Sequence, residues 1–160
     1  MVNHVYKTRS IFGEESGPKN NVLLAIKPHW ADAILSGDKK WEYRRVTINA
    51  EPGAKLFLYA SGNVHAIVGE VTINKILNGP IESLIKHTVR EVPETEEDLR
   101  KSFEGHMIGH AIKVINPTRF KTPITLATLR RKIPQFVPPQ GFYYIRNGSP
   151  LFELLRTSNY

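Results

Sequence analysis

The stretch from Val22 to Arg45, VLLAIKPHWADAILSGDKKWEYRR, constrains the fold more than any other part of the chain. Val22, Leu23, Leu24, Ala25 and Ile26 form an unbroken apolar run of strand length, the pattern of a strand buried on both faces. Pro28 suits the first turn of a helix, where its missing N–H has no partner to lose. Trp30, Ala33 (or Ala31) and Ile34 then recur at three-to-four spacing and predict a short amphipathic helix. Gly37 stops it, because a left-handed cap costs glycine little. From Lys39 to Arg45 the pattern alternates as a strand does. Lys40, Glu42 and Arg44 fall on one side; Lys39, Trp41, Tyr43 and Arg45 fall on the other. A face reading plus, minus, plus beside a glycine turn is either a solvated edge or the wall of a polar pocket.

The rest of the chain reads as strands joined by short turns, with one helical excursion. Lys55–Ala60 and Ala66–Ile73 are strands around the break at Ser61-Gly62-Asn63, with Gly69 at a bulge position. Such short turns imply antiparallel pairing, and several in succession suggest a barrel. Pro80 to Phe103 is a helical region, and Thr95-Glu96-Glu97-Asp98 begins its second helix with acids in the first turn. His110–Ile115 is a further strand, and Pro117 follows it. Leu126–Lys132 reads as a helical insertion, Pro134 to Pro139 as extended chain, Phe142–Ile145 as a short strand or turn, and Leu151–Leu155 as a terminal helix or strand. Residues 1–20 lack periodicity and are expected to form an N-terminal arm; residues 21–160 are expected to form one domain.

The net charge of +7 and a pI near 9.7 favour an anionic partner, nucleic acid above all. A chain without cysteine has no disulfide scaffold, cysteine nucleophile or thiolate metal site. No apolar run approaches the roughly 20 residues of a membrane-spanning helix, and a cytoplasmic location is expected. His106 and His110 are four apart, but Gly105 and Gly109 disfavour a helix there. Neither a metal site nor a cofactor is expected, since there is no phosphate-binding glycine loop and no nucleophile elbow.

Candidate functional residues cluster around the central stretch. Lys39 and Glu42 can act as an acid/base pair if burial shifts their pKa values; otherwise they form a surface ion pair of little worth. Arg44 and Arg45 offer bidentate forks for phosphate, and Lys27 stands where a helix N-terminus favours an anion. Trp41 and Tyr143 are candidate stacking surfaces for a base, and Gln140 has an amide able to read a base edge.

The string Gly37-Asp38-Lys39-Lys40-Trp41-Glu42-Tyr43-Arg44 resembles the GxKxxExR signature of ASCH domains. Ile26-Lys27-Pro28 and the later PPQGFYYI segment, Pro138 to Ile145, resemble further parts of the same family, over about residues 21–147. The resemblance implies an α+β, PUA-like mixed β-barrel with short helices packed against it, makes Phe120–Ile124 the family's final strand region ending in a proline-containing turn, and places the motif along a cleft beside the barrel. It implies first an RNA- or nucleotide-binding protein using a basic cleft of Lys27, Lys39, Glu42 and Arg44. The alternative is a small hydrolase, an amidohydrolase on acetylated cytidine or a ribonuclease, with Lys39 and Glu42 as the acid/base pair. Family amidohydrolases join the motif lysine to a threonine three residues on and to a glutamate in the helical region. Here Glu42 stands at the threonine's place, and Glu91 is the expected helical glutamate. The oligomeric state is left open.

Overall fold

A computed structural model describes residues 20–158 of the chain. The expected N-terminal arm therefore lies, except for Asn20, outside the described residues. The apolar run forms β1 (Asn21–Ile26), and it is buried on both faces as its sequence predicts. Val22, Leu24 and Ile26 enter one core cluster, with Leu56, Leu58 and Ile112. Leu23 enters a second on the opposite face, with Phe57, Tyr59 and Leu129. A period of two splits one continuous run between two cores.

Helix α1 (Pro28–Ser36) starts at the proline and ends at Gly37, whose φ of 89° makes a left-handed cap with its N–H donating to the Ile34 carbonyl at 3.1 Å. It buries Ala31, Ile34 and Leu35. Strand β2 (Trp41–Arg44) is shorter than expected, because Lys39 and Lys40 belong to the approach rather than to the ladder. The Lys39 N–H returns to the Ala33 carbonyl, and the Lys40 N–H bonds the Glu91 carbonyl.

Strands β3 (Lys55–Ala60), β4 (Ala66–Pro80) and β5 (Ile108–Thr125) form an antiparallel run; the short turn predicts this for β3 and β4, whereas β4 and β5 pair across the helical excursion. The two strands expected at 110–115 and 120–124 are one long strand, irregular where Asn116 takes a φ of 53°. A register shift beside Gly69 bears out the bulge. A Cβ there would meet the Thr118 carbonyl oxygen at 2.6 Å and the Leu35 side chain at 2.7 Å, so this strand admits helix α1 only with glycine.

The sheet order is β2-β5-β4-β3-β1-β6, with β6 (Phe142–Ile145) antiparallel to β1 and the β1–β3 pair parallel. The two edge strands are nonetheless joined by contacts. The Asn49 N–H just past β2 donates to the Tyr144 hydroxyl of β6 at 2.9 Å. A Cβ built on Gly141 would lie 3.3 Å from the Arg44 guanidinium. The sheet therefore curls until its ends approach, giving the α+β mixed barrel expected. Helix α4 (Leu126–Lys132) and helix α5 (Pro150–Thr157) cover the second core. Between β4 and β5 come helix α2 (Ile81–Thr88), a 3-10 turn at Val89–Glu91 and helix α3 (Glu96–Ser102). Thr95 and Asp98 close a capping box on α3, the start marked in the sequence.

Candidate functional site

Lys39 sits where the cap of α1 turns into β2, and only 4% of it is exposed. A lysine so buried needs a partner. Its Nζ donates to both carboxylate oxygens of Glu94 at 2.7 Å, and that glutamate is buried as well. The ammonium also lies 5.0 Å from the centre of the Trp30 ring and 4.8 Å from that of Tyr43. One carboxylate and two aromatic faces thus enclose the cation. Sequence reasoning chose Glu42 or Glu91 as its carboxylate; the structure brings Glu94, 55 positions away, because the turn after the 3-10 segment drops that residue beside the α1 cap. Nothing in local periodicity marks Glu94.

Glu42 shares this neighbourhood. It pairs in register with Ile112, a residue of the first core, so its carboxyl points into the curled side of the sheet. Only 8% of it is exposed. Burial pushes its pKa up; Lys39 and Arg44 pull the other way, and Glu94 adds to the rise. Arg44, on the same face, approaches Glu42 at 4.0 Å, the long limit of an ion pair, and lies against the Gly141 backbone. Gln140, exposed, precedes Gly141 in that loop.

Tyr43 points the other way, toward α2. Thr88 Oγ1 donates to the Leu84 carbonyl at 2.7 Å, and the Tyr43 hydroxyl meets that same Oγ1 at 2.6 Å. The threonine proton is committed to Leu84, so the tyrosine donates. Burial raises the Tyr43 pKa above the ordinary phenol value. Tyr43 and Thr88 were not among the sequence candidates, although Thr88 is fully buried at the end of α2.

Other expected residues lie apart. Trp41 is 2% exposed and packs with Leu84 and Ala111, so it offers no open face for a base. Its Nε1–H donates to Glu91 at 3.0 Å. Glu91 also meets Lys113 at 3.2 Å, and these two donors hold its carboxyl below the usual range, the indole N–H first. Glu91 therefore serves Trp41 and Lys113 rather than Lys39. Tyr143 pairs with Leu23 and packs in the second core, on the sheet face opposite Glu42. Its hydroxyl donates to the Val137 carbonyl at 3.1 Å, and burial pushes it up to about 12. A stacking role on the Glu42 side is closed to it by the sheet. Arg45 is exposed and donates to the Ser102 carbonyl at 2.8 Å, away from Glu42. Lys27 is exposed at the α1 N-cap.

A cavity of about 300 Å³ opens beside this cluster, lined by Gly37, Lys39, Lys40, Glu91, Lys113 and Asn116 among others. No cluster of three or more metal-ligating side chains occurs among the described residues. No helix among them is long and apolar enough to cross a membrane.

An ASCH domain-containing ribonuclease of Zymomonas mobilis is 27% identical over 128 residues, 80% of this chain and 86% of that protein. The crystal structure of ASCH from Zymomonas mobilis superposes with a TM-score of 0.79 at 26% identity, covering 88% of this chain and 96% of that one. The human THYN1 protein, solved in complex with 5-methylcytosine-containing DNA, shares the fold alone, with a TM-score of 0.51 at 14% identity over 88% of this chain and 99% of its own. The ASCH domain model matches residues 24–123, and the GxKxxExR residues within that span supply the Lys39 and Glu42 just described. The chain belongs to the ASCH domain family.

Proposed function

We propose that this protein binds single-stranded RNA and cleaves its phosphodiester backbone at the Lys39–Glu42–Arg44 cluster. The observation that carries the reading is Glu42. It is a buried carboxyl with a raised pKa, flanked by Lys39 and Arg44, and its approach to Arg44 is long where Lys39 closes tightly on Glu94. A perturbed acid beside two cations is the pattern of a reacting site rather than of a structural ion pair. The net charge of +7 and the ribonuclease name of the Zymomonas relative support the same substrate class.

In this mechanism Arg44 holds a phosphate oxygen through its fork. Glu42, as carboxylate, takes the proton of the ribose 2′-hydroxyl as that oxygen attacks phosphorus. The P–O5′ bond breaks, and Lys39 gives a proton to the leaving 5′-oxygen. The products are a 2′,3′-cyclic phosphate and a free 5′-hydroxyl. The proton on Glu42 then passes through water to restore Lys39. Its raised pKa places Glu42 nearer neutrality than an ordinary glutamate, where a general base is most effective. Glu94, Trp30 and Tyr43 keep the Lys39 ammonium in place.

The test is an end-labelled single-stranded RNA incubated with the wild type, Glu42→Gln and Lys39→Met, with cyclic-phosphate ends as the readout. Removing a general acid or base typically costs about 10²- to 10⁴-fold in rate. A Glu42→Gln protein that cleaves as the wild type does overturns the mechanism. Bound but uncleaved RNA in every sample leaves a binding protein. A second reading, deacetylation of 4-acetylcytidine, is favoured by one contact: Glu94 pairs with Lys39 as the family's helical glutamate and motif lysine would. Against it, Glu42 has no hydroxyl to accept an acyl group. Chromatography of 4-acetylcytidine after incubation separates the two.

A further inference from the structure

Strands β2, β5 and β4 carry a second charged feature, on the face away from Glu42. Trp41, Lys113 and Lys75 are register partners in a row: Trp41 pairs with Lys113, and Lys113 pairs with Lys75. Both ammoniums lie over the Trp41 indole, Lys113 at 5.3 Å and Lys75 at 5.7 Å from its centre. Two lysines directly opposite on paired strands repel each other, and such a pair is destabilising in an otherwise ordinary sheet. Lys40, exposed just before β2, adds its charge to that of Lys113 at Glu91. Glu91 answers Lys113 and Lys40 with one carboxylate, and Lys75 adds its charge from across the Trp41 ring. The cavity beside them, with Ile34 and Val114 in its wall, has the volume for a nucleobase and a polar rim formed by Lys40 and Lys113.

Charge excess continues along the same strand. From Ile108 to Lys132, β5 and α4 contain six lysines and arginines and no aspartate or glutamate. Of these, Arg119 is paired with Asp32 of α1 at 3.0 Å.

We propose that Lys40, Lys75 and Lys113 form a phosphate track that holds the RNA chain beyond the reacting nucleotide, with the adjoining cavity receiving one flanking base. The occupant rests on the RNA reading above, and charge complementarity selects a polyanion: a row of cations with too few local anions gains most from backbone phosphates and the counterions they release. Trp41 serves here as a platform beneath the lysines, not as the surface that meets a base.

The test compares wild type with Lys40→Gln/Lys75→Gln, two exposed positions outside the reacting cluster. Affinity for a twelve-nucleotide single-stranded RNA is measured across a salt series. The slope of log affinity against log salt is expected to flatten by about 1.4, near 0.7 for each single-strand phosphate that the variant no longer neutralises. Lys86→Gln on α2 is the control and leaves the slope unchanged. Cleavage of a dinucleotide, too short to reach the track, is expected to match wild type, while cleavage of the longer RNA at low substrate falls. An unchanged slope in the double variant overturns the track even if the protein is a ribonuclease. A flattened slope in a protein that cleaves nothing keeps the track and removes the nuclease mechanism. No RNA affinity in the wild type removes both.

Discussion

Two lysine–glutamate pairs reach the short segment around Pro93, one from the turn before β2 and one from β5, and behave differently. Lys39–Glu94 closes at 2.7 Å with side chains 4% and 7% exposed; Lys113–Glu91 closes at 3.2 Å with side chains 25% and 34% exposed. Their glutamates lie three residues apart, on either side of Pro93. The first pair is removed from water, so each partner depends on the other, and their combined field reaches Glu42. The second remains in contact with solvent, where screening limits its worth and its lysine stays available to an incoming anion. Burial, rather than the pairing of charges as such, separates the two: one pair is fixed in the interior and the other stays open to water.

The largest expected effect comes from breaking the buried pair. Glu94→Ala leaves Lys39 as an uncompensated buried charge and is expected to cost about 3–5 kcal/mol in urea unfolding. Lys39→Met/Glu94→Leu, which removes both charges, is expected to recover most of that loss while abolishing cleavage. A double variant as unstable as the single one would show that packing rather than charge holds this corner.

Thr88→Val tests the neighbouring wall. It leaves the Tyr43 hydroxyl without its acceptor, at an expected cost of about 1–3 kcal/mol, read by the same unfolding curve. Tyr43→Phe/Thr88→Val, with neither group left unsatisfied, is expected to lie closer to wild type.

The pH dependence of stability sharpens the contrast between Glu42 and Glu91. The folded pKa of Glu42 is raised above the unfolded value of 4.5. The stability linked to it is complete below that value and is lost as pH rises through the folded pKa. Glu91 is lowered, so its contribution is present above 4.5 and is lost as pH falls through its folded pKa. Glu42→Gln is therefore expected to flatten the loss of stability on the alkaline side of pH 4.5, and Glu91→Gln the loss on the acid side. Urea midpoints between pH 3 and 8 read both slopes. Equal responses from the two variants would erase the distinction.

The smallest effect belongs to the exposed pair. Lys113→Met removes a partly solvated ion pair and is expected to change stability by about 0–1 kcal/mol. A loss as large as that of Glu94→Ala would put the two pairs in one class.

Much of the architecture was legible in the residues because its signals are local. The run Val22–Ile26 announced a strand covered on both sides, and its odd and even residues do enter separate cores. Pro28 and Gly37 marked the ends of α1 through backbone requirements that hold in any context. Thr95 marked the start of α3 in the same way. Local alternation ran past the strand just before β2, where Lys39 and Lys40 lie outside it, though the Lys39 ammonium does reach the Tyr43 ring. Trp41 and Tyr143 carried the right chemistry for stacking, but the register of their strands turns Trp41 under α2 and Tyr143 into the second core.

By itself, then, the sequence determined the strands, the helix ends, the family motif and the positive charge, all of which depend on neighbours within a few positions. The tertiary structure alone decided which glutamate meets Lys39, which residues line the cavity, and that Arg44 closes on Gly141 from across the curled sheet. Those contacts join residues tens of positions apart, and they follow from strand order and sheet curl. Burial then gives the same lysine and glutamate chemistry one consequence at Glu94 and another at Glu91.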